Sequence, residues 1–372
     1  MSLDLHIVSF DVPYPPSYGG VIDVYYKIQA FHELGVRIHL HTFQYGRERS
    51  KILDDLCEKV YYYSRKSNLR SLFSRQPLIV KSRSNSNLIL RLKKDQFPIL
   101  FEGLHTTGPL RGNAFSDRMT LVRTHNIEHD YYNGLALSEK NLFKKWFFKF
   151  ESKKLKKFES ILSQSKVILA ISPYEQKHFS KYRITEYIPV FHGNSEVVNL
   201  SIKGEKILYH GDLRVSDNIR SCEFLIEIFK GLDFTLTIAG ACLTPDLAQK
   251  VDRQSNVEFV QLESGDQSQL KKLFEITHIN ILPTFQKTGI KLKLIHALFA
   301  SRFTLVNIPM IEDTGLESLC TIANDISEFQ KEIKRLMDTP YDDQIRLTRI
   351  EHLSGFNNLD NAKKIIDLIS SL

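Results

Sequence analysis

Residues 5–43 read LHIVSFDVPYPPSYGGVIDVYYKIQAFHELGVRIHLHTF, and their punctuation decides the fold. LHIVSF (5–10) is short, apolar and β-branched, which predicts a buried strand. DVPYPPSYGG (11–20), with three prolines and a Gly-Gly pair, predicts a loop. VIDVYYKIQAFHELG (21–35) has helical periodicity and ends at Gly35, a C-terminal cap. VRIHLHTF (36–43) alternates and predicts a second strand. Strand, glycine loop, helix and strand together make a βαβ unit of the Rossmann type.

The pattern continues outward. PILFEGLH (98–105) and MTLVRTHN (119–126) predict strands that end in polar residues, and KVILAISPYEQKHF (166–179) predicts a strand and a capped helix. A second cycle starts near 206 with KILYHGDL (206–213), NIRSCEFLIEIFKGL (218–232) and FTLTIAGA (234–241). Strands at 256–262, 279–285 and 303–309 follow, with a helix over 266–277. The resulting fold class is α/β with two Rossmann-like domains. Periodicity is lost over 190–204, so we divide the chain into domains at 1–192 and 193–352. A terminal helix lies within 353–372.

A chain of 372 residues is too long for one ordinary core and suits this two-domain reading. The four cysteines are far apart in sequence and form no metal-ligand spacing, which suits a reducing compartment. The first residues lack a basic leader followed by an apolar run, and no stretch is long and apolar enough to span a bilayer. A cytoplasmic location is expected. The net charge of +7 favours anionic partners. No nucleic-acid motif accompanies that charge, so nucleic acid is not among the expected partners.

Ligands of open α/β sheets bind beyond the carboxyl ends of the strands. The loops there hold Gly19, Gly20, Glu102, His105, His125, Asn126, Glu128, Gly211 and Arg214. They also hold TGIKLKLIHALFASR (288–302), where Lys291 and Lys293 stand at the mouth of an apolar helix. Lysine is disfavoured at a helix N-terminus unless an anion sits there. The plain alternative is a solvated first turn.

PPSYGG, RTHNIEH (123–129), YHGDL…DN (209–218) and TGIKLKLIHAL (288–298) occur in that order. Together they resemble the GT-B glycosyltransferases, close to the retaining family-four (glycosyltransferase group 1) enzymes of bacterial polysaccharide biosynthesis. The resemblance covers nearly the whole chain. It implies two domains facing across a cleft, an acceptor bound mainly by the first, a nucleotide-sugar donor bound mainly by the second, and a C-terminal helix (353–372) crossing back to the first.

The resemblance also assigns roles. Gly19 and Gly20 would lie beside the donor phosphates, and Gly211, Thr288, Gly289 and His296 would line the donor site. Arg214 and Lys291 would bind the diphosphate, and His125 would reach the sugar at the reacting centre. Many relatives carry an E-x7-E pattern where this chain has Thr288 and His296. The expected activity is retaining transfer of a sugar from a nucleoside diphosphate to a polysaccharide or lipid-linked glycan. The alternative is a degenerate GT-B scaffold that binds nucleotide or a partner without turnover. A third reading, a nucleotide-sugar epimerase, would need cleft carboxylates and no acceptor. No cofactor and no metal are expected.

KNLFKKWFFKFESKKLKKFES (140–160) holds eight lysines interleaved with aromatic residues. It reads either as a helix that contacts the anionic inner face of a membrane or as one whose aromatic stripe packs on the sheet.

Overall fold

The computed structural model describes residues 3–66, 74–139, 141–200, 203–263, 267–286 and 292–371. Two parallel sheets organise them. The first runs β3 (Lys59–Ser64), β2 (Arg37–Gln44), β1 (Asp4–Ser9), β4 (Ile99–Glu102), β5 (Thr120–Arg123), β6 (Val167–Ala170), β7 (Thr185–Tyr187). The second runs β10 (Val257–Gln261), β9 (Leu236–Gly240), β8 (Lys206–His210), β11 (Thr277–Leu282), β12 (Phe303–Val306), β13 (Thr321–Ile322).

In each sheet the strand order reverses once. β1 pairs in parallel with both β2 and β4, and β8 with both β9 and β11. Connections leave such a pair towards opposite faces and open a crevice at the strand ends. The fold therefore places two crevices, one beyond β1/β4 and one beyond β8/β11.

Alternation along the strands builds the layers. Leu5 and Ile7 of β1 pack with Ile28 and Phe31 of the first helix (Gly19–Glu33) and with Ile365 and Ile369 of the last (Asn358–Ser371). Val8 points the other way, into a cluster with Phe101, Val122 and Leu155. The first helix ends as expected, with Gly35 at a φ of 76°. The last helix of the chain thus packs on the first.

That return is fastened near residue 192. The Asn358 side chain donates to the His192 carbonyl at 2.7 Å and accepts from the His192 amide at 3.2 Å. A Cβ on Gly193 would overlap the Tyr26 hydroxyl, so any other residue there would have to displace the Tyr26 ring.

Three strands differ from expectation. β3, β7 and β13 carry no apolar run. β3 is KVYYYS, and β7 and β13 span three and two residues. Several expected strands also stop short, at Glu102, Arg123, His210, Leu282 and Val306, because the polar or turn residues after them have already left the sheet.

Candidate functional site

Contacts between the halves show that the two crevices face each other. A Cβ on Gly19 would lie 3.7 Å from Leu292, and one on Gly134 3.3 Å from Gln286. The Ser138 and Ser216 hydroxyls are 3.3 Å apart. Each pair joins an element that follows the first sheet to one that follows the second.

Gly19 and Gly20 differ from their expected place in the loop: they form the first turn of the first helix. Gly20 passes over the Phe10 ring, where a Cβ would meet Cζ at 2.5 Å. Gly19 faces Leu292, the first described residue after the 287–291 stretch. Thr288, Gly289 and Lys291 fall within that stretch, outside the described residues.

His125 follows β5 and is buried. Its Nε2 donates to Glu102 Oε2 at 3.1 Å and lies 4.0 Å from Asp23. Lys27 Nζ bridges Glu102 Oε1 (2.7 Å) and Asp23 Oδ2 (2.9 Å), while Arg123 reaches Asp23 Oδ1 at 2.9 Å. Asp23, Lys27, Glu102 and Arg123 have no solvent exposure. Burial would raise both carboxyls. Arg123 and Lys27 outweigh it at Asp23, Lys27 and the His125 hydrogen bond outweigh it at Glu102, and both stay ionised.

The other polar residues of the THNIEH stretch separate. Glu128, at the start of the helix Glu128–Ser138, is buried beside His105, with Oε1 3.8 Å from Nδ1. Burial pushes the Glu128 carboxyl up to about 7, and burial with nearby Arg83 pushes His105 well below its usual value. Both shifts favour neutral forms, so this is a contact rather than a salt bridge. His129 turns away. It donates to Glu159 at 3.0 Å, which also accepts from His178 at 2.7 Å. Burial alone would raise Glu159, but these two hydrogen bonds hold it at about 2.

In the second half, Gly211 follows β8, and Arg214 is exposed with its guanidinium forked onto Asp212 (2.8 Å at each oxygen). Asn218 does not cap the helix Ser216–Ile228, whose flanking residue is Val215. Its amide nitrogen instead donates to the Asp212 carbonyl at 2.9 Å. Its amide oxygen accepts from Lys293 Nζ at 2.9 Å.

Lys293 is not a solvated first-turn residue. The residue is half-buried, and its ammonium lies over the Tyr209 ring, 5.1 Å from the centroid, with no carboxylate within 4 Å among the described residues. Burial lowers it to about 8. The charge of Asp217, the residue before Asn218, partly offsets that burial, but its carboxylate makes no ion pair with Lys293: it accepts from Thr284 Oγ1 (2.6 Å) and the Phe285 amide (3.0 Å), anchoring the chain that leads into 287–291. His296 is half-buried against Phe274 and near His210, and burial brings it down to about 4.

Glu102 and Lys293 stand among the residues expected beyond the strand ends, but the pairings that join Asp23, Lys27, Glu102 and Arg123, and Lys293 with Asn218, were not legible in the sequence. Asp23 and Lys27 look like an ordinary i, i+4 surface pair, and their partners lie 75 and 100 residues away.

The helix Leu142–Phe158 buries only part of its aromatic stripe. Leu155, Phe158 and Glu151 are buried, but Phe143, Trp146 and Phe150 point into solvent, with Phe143 89% and Trp146 77% exposed. The stripe is therefore split: Phe158 packs in the core beside Val122 and Ile168, while the part nearer the start of the helix does not pack on the sheet. No helix among the described residues is long and apolar enough to cross a membrane.

No family model matches the chain. An uncharacterized 44.6 kDa protein of the cps region of Klebsiella pneumoniae is 26% identical over 347 residues, 88% of this chain and 89% of that protein. Among solved structures, TarM superposes with a TM-score of 0.70 at 11% identity, covering 100% of this chain and 99% of its own. Anabaena HepE, solved with UDP and glucose, gives 0.65 at 12%, with both chains fully covered. The lipopolysaccharide outer core galactosyltransferase WaaB gives 0.62 at 14%, again over both full chains. The chain has the GT-B glycosyltransferase fold.

Proposed function

We propose that this protein is a retaining glycosyltransferase. It moves a sugar from a nucleoside-diphosphate donor to a polysaccharide or lipid-linked glycan acceptor. The observation that carries the reading is Lys293: an enclosed ammonium without a carboxylate partner, at the β8/β11 crevice. Burying a charge is costly unless something compensates it, and a diphosphate would. Arg214 and Gly211 border the same turn, and Lys291 belongs to the segment that leads to Lys293. Thr288, Gly289 and His296 complete the donor side. Gly19 and Gly20 face it from the other half, and His125 meets the sugar.

In this reading residues 1–192 hold the acceptor, 193–352 hold the donor and 353–372 return to the first domain. The leaving diphosphate takes the acceptor proton, and the cations stabilise the charge that develops on the phosphates. The resemblance to the cps-region protein and to WaaB supports a surface-glycan acceptor.

The exposed Phe143, Trp146 and Phe150, flanked by Lys144, Lys149, Lys153, Lys156 and Lys157, support peripheral contact with an anionic membrane at its inner face. A lipid-linked acceptor would be met there.

The test is a thermal-shift panel of nucleoside diphosphates, followed by transfer and hydrolysis assays with the matching sugar donors. A ligand that binds only the folded state raises the melting temperature by mass action. A shift with no turnover of any donor would favour the non-catalytic scaffold. No shift with any nucleotide would sink both readings.

A further inference from the structure

His125 carries an asymmetry that its sequence position does not reveal. Glu102 is a carboxylate and can only accept, so the ring nitrogen facing it, Nε2, must hold the hydrogen. The charges behind it already close: Asp23 and Glu102 are matched by Lys27 and Arg123, all fully buried. Nδ1 has no hydrogen-bond partner among the described residues and is not one of the buried polar atoms left unsatisfied. The ring edge lies against Phe10, which also packs beside His105 and under Gly20 at the first crevice.

We propose that Glu102, held by Lys27, is a positioning residue that fixes His125 as the Nε2–H tautomer and so presents Nδ1 to the cleft as a hydrogen-bond acceptor for a hydroxyl of the transferred sugar. The proposal rests on the glycosyltransfer reading for its substrate and on the geometry alone for its tautomer. It assigns His125 a definite polarity: it takes a hydrogen bond from the sugar and does not give one. Because Lys27 and Asp23 sit on the helix that begins at Gly19, the same salt bridges lock that helix to the His125 ring.

The test has two arms on the full-length chain. The first is nitrogen and carbon NMR of the protein labelled at histidine, with His125→Asn identifying the His125 signals. The expected result is an Nε2–H tautomer in the parent chain and a switched or mixed tautomer in Glu102→Gln. The second arm is steady-state kinetics. Glu102→Gln should lower kcat by about 100-fold, the cost of misplacing a group at the reacting centre, with donor KM changed less than about twofold. If Glu102→Gln does not fold, the double variant Lys27→Met/Glu102→Gln removes one charge of each sign and keeps the network balanced. An Nδ1–H tautomer in the parent chain, or an unchanged tautomer and kcat in the folded variant, overturns the proposal. Absence of turnover in the parent chain would overturn the glycosyltransfer reading and the sugar contact, while the NMR arm still decides whether Glu102 sets the ring.

Discussion

The Lys293 ammonium donates to the Asn218 side-chain carbonyl at 2.9 Å, from the helix Leu292–Ala300 to the helix Ser216–Ile228. Two helices that each follow a central strand are thus joined by a cation whose polar partners among the described residues are uncharged.

This pairing gives a pH prediction. Burial lowers Lys293 from its ordinary 10.5 to about 8. A bound diphosphate favours the charged form, so binding above pH 8 must take up a proton. Affinity should therefore fall as pH rises through about 8, by up to roughly tenfold per pH unit. Without ligand the sign reverses. The unfolded chain holds the proton more tightly, so the stability penalty is full below about 8 and is relieved as pH rises towards 10.5. Calorimetric titrations from neutral pH to about 10 should show the fall, and Lys293→Met should abolish it while weakening binding by about 1.5–3 kcal/mol.

Arg214 is engaged by Asp212, so phosphate must compete for the guanidinium. Asp212→Asn should tighten diphosphate binding several-fold, and Arg214→Ala should weaken it. Equal affinities in the parent and both variants would remove Arg214 from the donor site.

Glu128 offers a test of the buried polar pocket. A carboxyl raised from 4.5 to about 7 in the folded state costs stability that grows as pH rises from about 4.5 to 7. Each tenfold change in proton affinity corresponds to about 1.4 kcal/mol. Glu128→Gln should therefore melt above the parent at mildly alkaline pH and converge with it near pH 4.5. Parallel melting curves across that range would show that the carboxyl is already solvated.

Gly20→Ala should destabilise by about 1–3 kcal/mol, because the new Cβ would overlap the Phe10 ring. Phe10→Leu in the same chain should restore part of the loss. Chemical denaturation midpoints of the three variants decide the point.

Trp146 is the chain's single tryptophan and is 77% exposed, so its fluorescence reports directly on the aromatic-basic helix. Anionic vesicles should shift its emission to the blue at low salt, and the shift should fade as salt screens the lysines. Charge reversal at Lys144, Lys149, Lys153 and Lys156 should remove it. No shift even at low ionic strength would leave the face without a membrane role.

Much of the fold was legible because it rests on local chemistry. LHIVSF and VRIHLHTF are strands for their β-branched apolar residues, and Gly35 stops the first helix because only glycine takes its backbone angle without strain. β3 escaped because tyrosines give KVYYYS no clear alternation. The site was legible only as far as residue types at strand ends. His125 and Gly211 could be found that way. That Glu102 would hold His125, and that Lys293 rather than a residue of its own turn would sit beside Asn218, depends on strands brought together from far apart in the chain. The solvent-facing Phe143 and Trp146 were ambiguous for a different reason: an aromatic stripe has the same period whether a sheet or a lipid surface covers it.

The Asn358–His192 pair has a mechanical consequence. The chain leaves the first sheet near residue 192 and returns to it at residue 358, and reciprocal hydrogen bonds pin these two crossings together. Two separate straps would restrain the halves along a line, whereas two straps tied at one point leave a pivot. Opening of the cleft should then be a rotation about His192–Asn358, with displacement growing with distance from that pin. The Gly19–Leu292 contact would part before anything near Gly193, where the Tyr26 side chain leaves no slack.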